Sequence, residues 1–410
     1  MGTQSDRAAR PKALVVSFFS SENLGDLLIS DAIARMTARY AEVVRVNYGP
    51  HPELMTDLDD LEPRTELPLS RAGSTVRDLT HAVAFAIGGD GLVDRLRPGR
   101  RGGDRAKREL SLTVDVLVRQ SDVLVIGGGN MLFDINRRST SWEFFDIYVE
   151  AAKRHGRPVF GVSIGAGPFA TTHQRDRAAA AAARCDALTV RDTGSLRVLE
   201  QGAPGLSATV VPDPVFALPR MLTPRSTSGA VAVNPMDLRL AGASASSARA
   251  ALQGYRALVE QSSRASGGPV AIFSTDMQDY PFLQEIHSGL EPGVSKVYPI
   301  TGVRALMRLY QDTSVVVASR MHSMITAFTQ GIPVVGVAWQ PKVRGFFETV
   351  SDVDSCFSVQ DLMSHQSPIA CRVREKLNSL DAEANRVESR LLEVRSRLAI
   401  NDAILSRITA

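Results

Sequence analysis

What most constrains this chain is a recurring alternation, in which short continuous runs of β-branched and aliphatic residues are each followed by a stretch with helical period. Candidate strands at 13–18, 42–47, 122–126, 158–162, 186–190 and 208–211 alternate with candidate helices near 26–40, 105–119, 142–155, 174–184 and 193–201. Strands that are apolar on both faces and separated by helices imply a parallel sheet covered on both sides. The pattern lapses at 218–229 (LPRMLTPRSTSG), which is rich in Pro, Ser and Thr and has no period, and then restarts. Strands are expected near 230–234, 269–274, 296–299, 313–318 and 333–337, with helices at 245–265, 279–290, 302–311, 321–330 and 343–349. A chain of 410 residues exceeds what one hydrophobic core serves. The expectation is therefore an α/β protein with two doubly wound Rossmann-like domains facing a central cleft, a GT-B-like arrangement with a long C-terminal helix. The expected divisions are a mobile tail at 1–11, an N-terminal domain at 12–220, a C-terminal domain at 230–365 and a helical segment at 366–410.

That last segment departs from the alternation. Val373, Leu377, Leu380, Ala384, Val387, Leu391, Val394 and Leu398 are spaced alternately four and three apart, a heptad seam flanked by Glu and Arg. It suits either a helix packed back along the N-terminal domain or one that pairs with its copy in a homodimer.

Several function classes are disfavoured. A net charge of +3 from 47 basic and 44 acidic residues gives no case for nucleic-acid binding. Three scattered cysteines and histidines without HxxH spacing support neither a disulfide framework nor a metal site, and they suit a reducing cytoplasm. No apolar run approaches the length needed to span a bilayer, and 13–19 (ALVVSFF) is too short for a signal-peptide core. It reads as the first buried strand. Residues 95–108 (RLRPGRRGGDRAKR) hold seven basic residues against one acid. The segment reads as a solvated loop or as a contact with an anionic, lipid-linked acceptor, which would make the protein peripheral at the inner membrane face.

The turns at the carboxyl ends of the strands are where ligands bind in such sheets. The first holds Asn23, Leu24, Gly25 and Asp26 at a helix start, where Gly25 permits close approach and Asp26 reads either as a cap or as a functional group. The second is Gly127, Gly128, Gly129 and Asn130, a run able to form an anion-binding nest, to let a sugar lie on the backbone, or merely to pack tightly. It is not GxGxxG and no P-loop lysine follows, so neither NAD nor ATP is indicated. Arg191 ends strand 186–190, placed either to hold a phosphate or carboxylate bidentately or to pair with Asp192. The strongest constellation follows strand 313–318: Ser319, Arg320, Met321, His322 and Ser323 open a helix, and Lys342 follows the next strand. A histidine at a helix start suits proton transfer.

In order along the chain, NLGD at 23–26, GGGN at 127–130, SIGAGP at 163–168, VRDTGS at 190–195, PDPVF at 212–216, SRMHS at 319–323, GIPVVGV at 331–337 and PKVRGF at 341–346 resemble the polysaccharide pyruvyl transferases. Each motif is loose alone; the ordered set spans about residues 13 to 350. The region 66–108 and the heptad tail carry no family motif. The resemblance implies transfer of a pyruvyl group from phosphoenolpyruvate to a sugar of a polysaccharide or glycolipid precursor, with a cyclic ketal formed and phosphate released. It implies no cofactor beyond phosphoenolpyruvate as co-substrate. By the same resemblance Arg320 and Arg191 clamp the donor's phosphate and carboxylate, with Lys342, Ser319 and Ser323 beside them, and His322 is the general acid. Asn23, Gly25, Asp26, Gly128, Gly129 and Asn130 line the acceptor side.

Two rivals share the pattern. A GT-B glycosyltransferase using a nucleotide sugar would need an acidic residue for the ribose in the second domain, and none stands out in the sequence. A non-catalytic binding protein of the same fold would not need Arg320, His322 and Lys342 together.

Overall fold

The computed structural model describes residues 10–19, 23–49, 52–54, 101–134, 136–137, 141–221 and 228–410, with the backbone alone for 101–106. The expected tail lies almost wholly outside the described residues, and so do residues 95–100 of the basic segment. In the first half the strands are β1 (Lys12–Ser17), β2 (Glu42–Asn47), β3 (Val123–Gly127), β4 (Asn130–Asp134), β5 (Val159–Phe169), β6 (Ala187–Val190) and β7 (Thr209–Val210). In the second half they are β8 (Val231–Asn234), β9 (Val270–Ile272), β10 (Ser295–Val297), β11 (Val315–Ala318), β12 (Val334–Ala338) and β13 (Cys356–Ser358).

These strands form two parallel sheets. The first has the order β2-β1-β3-β5-β6-β7, with β4 alongside the far end of β5, and the second the order β10-β9-β8-β11-β12-β13. Each is built outward in one direction and then in the other. The reversal falls between β1 and β3 in the first sheet and between β8 and β11 in the second, and such a reversal opens a crevice at the carboxyl ends of the two strands.

The continuous apolar character of the strands follows from burial on both faces. Ala13 and Val15 face the layer between the sheets, while Leu14 and Val16 face the outer layer of the first sheet. Ala232 likewise faces the middle layer, and its neighbours Val231 and Val233 the outer layer of the second. The middle layer is continuous from one sheet to the other. It joins Ile29 and Ile33 of the helix Leu24–Thr37 to Phe216, Phe273, Phe328 and Phe346, so the halves are packed together and not merely tethered.

The heptad seam is not one helix. It breaks at Ser379 between the helices Ser367–Asn378 and Leu380–Ile408. Val373 packs into the outer core of the second sheet, whereas Val387, Leu391, Val394 and Leu398 are buried in the middle layer. The seam is thus used within the chain, and the reading in which it pairs two copies loses its apolar face. Its next position is Asn401, fully buried. Asn401 donates to Ser163 Oγ at 3.1 Å and accepts from Thr189 Oγ1 at 2.9 Å. Among the described residues no helix is long and apolar enough to cross a membrane.

Candidate active site

Both crevices open onto one cavity of about 240 Å³, lined from the first half by Phe18, Asn23, Asp26, Gly129, Asn130, Phe133 and Arg191. The second half contributes Thr275, Arg320, Met321, His322, Gln340 and Lys342. The halves are stitched together beside it. Leu24 donates its N–H to the Thr275 carbonyl at 2.9 Å, and Asn23 forms an antiparallel bridge with Asp276. Asn23 also caps the helix Leu24–Thr37, its side chain accepting from the Gly25 N–H at 2.9 Å.

Gly25 does not line the cavity. A side chain there would collide with the His322 ring at Nδ1, so this glycine allows the first helix to close against the imidazole of the other half. Gly128 is not in the lining either. Its φ of 77° and the contact that a side chain would make with Ile29 and Ile33 show a packing role. Gly129 does reach the cavity, as does Asn130, whose amide donates to the Gly167 carbonyl at 2.9 Å.

His322 lies in the first turn of the helix Met321–Thr329. Its Nε2 is shut from solvent and points at Asp213 Oδ2, 3.6 Å away. Asp213 is itself 2% exposed. Burial alone would raise its carboxyl; His322, then Arg191 and the Val215 N–H, hold it below the ordinary carboxylate range instead. Asp26 behaves oppositely. Burial raises its carboxyl, with Asp276 and Asp213 adding to this and His322 and Lys342 opposing.

The three cations are not equivalent. Arg320 grips Asp279 bidentately through Nε (2.8 Å) and Nη2 (2.9 Å) and meets Asp276 through Nη1 at 3.1 Å. Three of about five guanidinium donors are therefore committed inside the protein. Burial works against the charge, but Asp279 and Asp276 outweigh it and raise the Arg320 pKa. Arg191 sits 3.4 Å from Asp192 and 3.9 Å from Asp213, contacts loose enough to leave its fork for a ligand. Lys342 opens the helix Pro341–Thr349 and makes no hydrogen bond or ion pair with a described residue. Burial, then the charges of Arg191 and Arg320, push its ammonium down to about 8 against the pull of Asp26 and Asp213.

The cavity therefore brings together Asn23, Asp26, Gly129, Asn130, Arg191, Arg320, His322 and Lys342 from the residues singled out in the sequence. Ser319 and Ser323 are excluded from it. Ser319 is buried against the Tyr255 hydroxyl at 2.7 Å, and Ser323 against Thr275 Oγ1 at 3.0 Å. Sequence reasoning missed Asp213, Asp276 and Asp279. The last two follow β9 in FSTDMQDY, and an acid-rich turn after a buried strand was the available signal. Both are paired with Arg320.

The family described as polysaccharide pyruvyl transferase matches residues 23–341. No curated protein matches the sequence. Solved structures share the fold at low identity. A glycosyltransferase from Rickettsia africae has a TM-score of 0.56 and 11% identity, over 97% of this chain and 98% of that one. Anabaena HepE in complex with UDP has a TM-score of 0.52 and 10% identity, over 97% of each chain. The architecture is thus of the GT-B type.

Proposed function

Because this chain belongs to the polysaccharide pyruvyl transferase family, we propose that it moves a pyruvyl group from phosphoenolpyruvate to a sugar of a polysaccharide or glycolipid precursor. The observation that carries this is the pair of available cations, Arg191 and Lys342, facing the cavity beside a histidine. Phosphoenolpyruvate carries about three negative charges near neutral pH, and its chemistry needs cationic groups and one proton donor. A fork suits its carboxylate or phosphate, and a compact ammonium suits the remaining charge.

His322 gives a proton to the donor methylene carbon, which becomes the methyl group, and positive charge develops at the adjacent carbon. An acceptor hydroxyl oxygen bonds to that carbon as its proton passes to Asp26. The carbon–oxygen bond to phosphate breaks, a second hydroxyl oxygen takes its place and closes the ketal, and its proton leaves with the phosphate. Arg191 and Lys342 hold the donor and then the departing phosphate. Arg320 acts from behind, by fixing Asp276 and Asp279. No cofactor is called for by this route, and saccharide or lipid-linked acceptors reach the cavity from the side of Asn23, Gly129 and Asn130. Phe18 and Phe133 on that side offer apolar surface to a sugar ring.

The test is incubation with labelled phosphoenolpyruvate and a panel of glycan acceptors, with release of phosphate read out, beside thermal-shift titrations. Stabilisation by phosphoenolpyruvate and not by nucleotide sugars is expected. The reverse pattern would hand the site to a glycosyltransferase.

A further inference from the structure

Building on the reaction just proposed, we propose that Asp213 is a positioning residue: it accepts the Nε2 proton of His322, so that Nδ1 is the nitrogen that serves the donor. Geometry carries this. Nε2 and Asp213 Oδ2 are both buried, neither has a hydrogen-bond partner among the described residues, and they face each other at 3.6 Å, a small closure away from bonding. Nδ1 stands against the Gly25 backbone at the start of the helix Leu24–Thr37, on a ring that lines the cavity. The other oxygen of Asp213 is already spent on the Val215 N–H at 3.1 Å, which aims Oδ2 at the ring.

The segment that carries Asp213 is itself braced from the far end of the chain. On one side the Pro212 carbonyl accepts from Ser163 Oγ at 3.1 Å, and Ser163 is held in turn by Thr189 and Asn401. On the other, Arg395 of the helix Leu380–Ile408 donates to the carbonyls of Phe216 at 3.0 Å and Leu218 at 2.8 Å. Ser163 has a φ of 43°, unusual for a residue with a side chain, and this network holds it there. The C-terminal helix, which carries no family motif, thus buttresses both flanks of the aspartate. The other charged groups near the ring are Asp26 across the first turn, and Arg191 and Lys342 around Asp213.

In the reaction the ring starts protonated on both nitrogens, gives up the Nδ1 proton and ends neutral with its proton on Nε2. A carboxylate at Nε2 supports both states, as an ionic partner first and a hydrogen-bond acceptor afterwards. Its loss should slow turnover more than donor binding.

Nitrogen NMR on histidine-labelled protein reads the tautomer directly. The chain has seven histidines, and the His322→Gln variant identifies the signal. In the wild type the neutral ring is expected to carry its proton on Nε2. In Asp213→Asn this bias should fall, and kcat should drop by about tenfold or more with KM for phosphoenolpyruvate within about threefold. A wild-type ring protonated on Nδ1, or a variant with unchanged tautomer and kcat, overturns the proposal. The wild-type spectrum decides the matter even if the variant does not fold. If the wild type releases no phosphate from phosphoenolpyruvate, the reaction is wrong, while the spectrum still reports whether Asp213 holds the ring.

Discussion

Replacing Lys342 by Met should make the free protein more stable and its donor site useless. The ammonium sits half-buried in the cavity beside Arg191 and Arg320 and pairs with no described residue. A fall from 10.5 to about 8 means that holding the charge in the folded chain costs roughly 3 kcal/mol below pH 8. Solvent reaching the amine trims this to roughly 1–3 kcal/mol. The sign follows from proton counting. Between about pH 8 and 10.5 the unfolded lysine holds its proton and the folded one does not, so the wild type gains stability as pH rises through that window. Methionine has no proton to lose and fills a similar volume. The advantage of Lys342→Met should therefore be full at about pH 7, worth a few degrees in Tm, and should shrink to roughly two-fifths of that by about pH 9.5. Phosphoenolpyruvate at about a hundred times its Kd should stabilise the wild type by about 2.7 kcal/mol and the variant hardly at all. Thermal unfolding at both pH values, with and without the donor, measures all of this. A variant less stable than wild type at pH 7, or one stabilised by the donor to the same extent, would refute the reasoning.

Arg320→Ala strands the buried Asp279 and its neighbour Asp276, so urea unfolding should show a loss of about 3–5 kcal/mol; lost turnover at unchanged stability would restore Arg320 as a donor clamp. Gly25→Ala sets a methyl group against His322 Nδ1 and should cut kcat by about tenfold or more, whereas on helix propensity alone it would be harmless or stabilising by about 0.5–1 kcal/mol; an unimpaired enzyme would show that the ring need not sit there. Asp26 must be ionised to take the hydroxyl proton, and its carboxyl is raised, so kcat should climb with pH above the ordinary carboxylate range. Asp26→Asn should abolish that limb; a limb that survives places the base elsewhere.

How far this was legible in the sequence depended on whether the signal was local. Strand 42–47 is read from the sequence with the bounds observed, because six residues at the sheet edge of a βαβ unit carry their own pattern. β4 was missed since Asn130–Asp134 pairs with the glycine-rich end of β5 through register shifts, a partner that no local period reveals. β13, at the edge of the second sheet, is only three residues long. The same division holds in the site. His322, Arg191 and Lys342 announce themselves because each stands at the end of a buried strand, where a doubly wound sheet presents side chains to a ligand. Arg320 announces itself equally well and lines the cavity, but its pairing with Asp279 and Asp276 could not be read, because contacts between loops 41 and 44 residues apart have no periodic signature. The glycines of the first two turns mislead for a related reason: Gly25 and Gly128 are small to admit a histidine and two isoleucines from elsewhere in the chain, not a sugar. Least legible of all was the link from Asn401 and Arg395 through Ser163 and Phe216 to Asp213. It joins residues more than 170 positions apart and gives the C-terminal helix, read from its heptads as packed along the first domain or as pairing two copies, a place in the frame around His322.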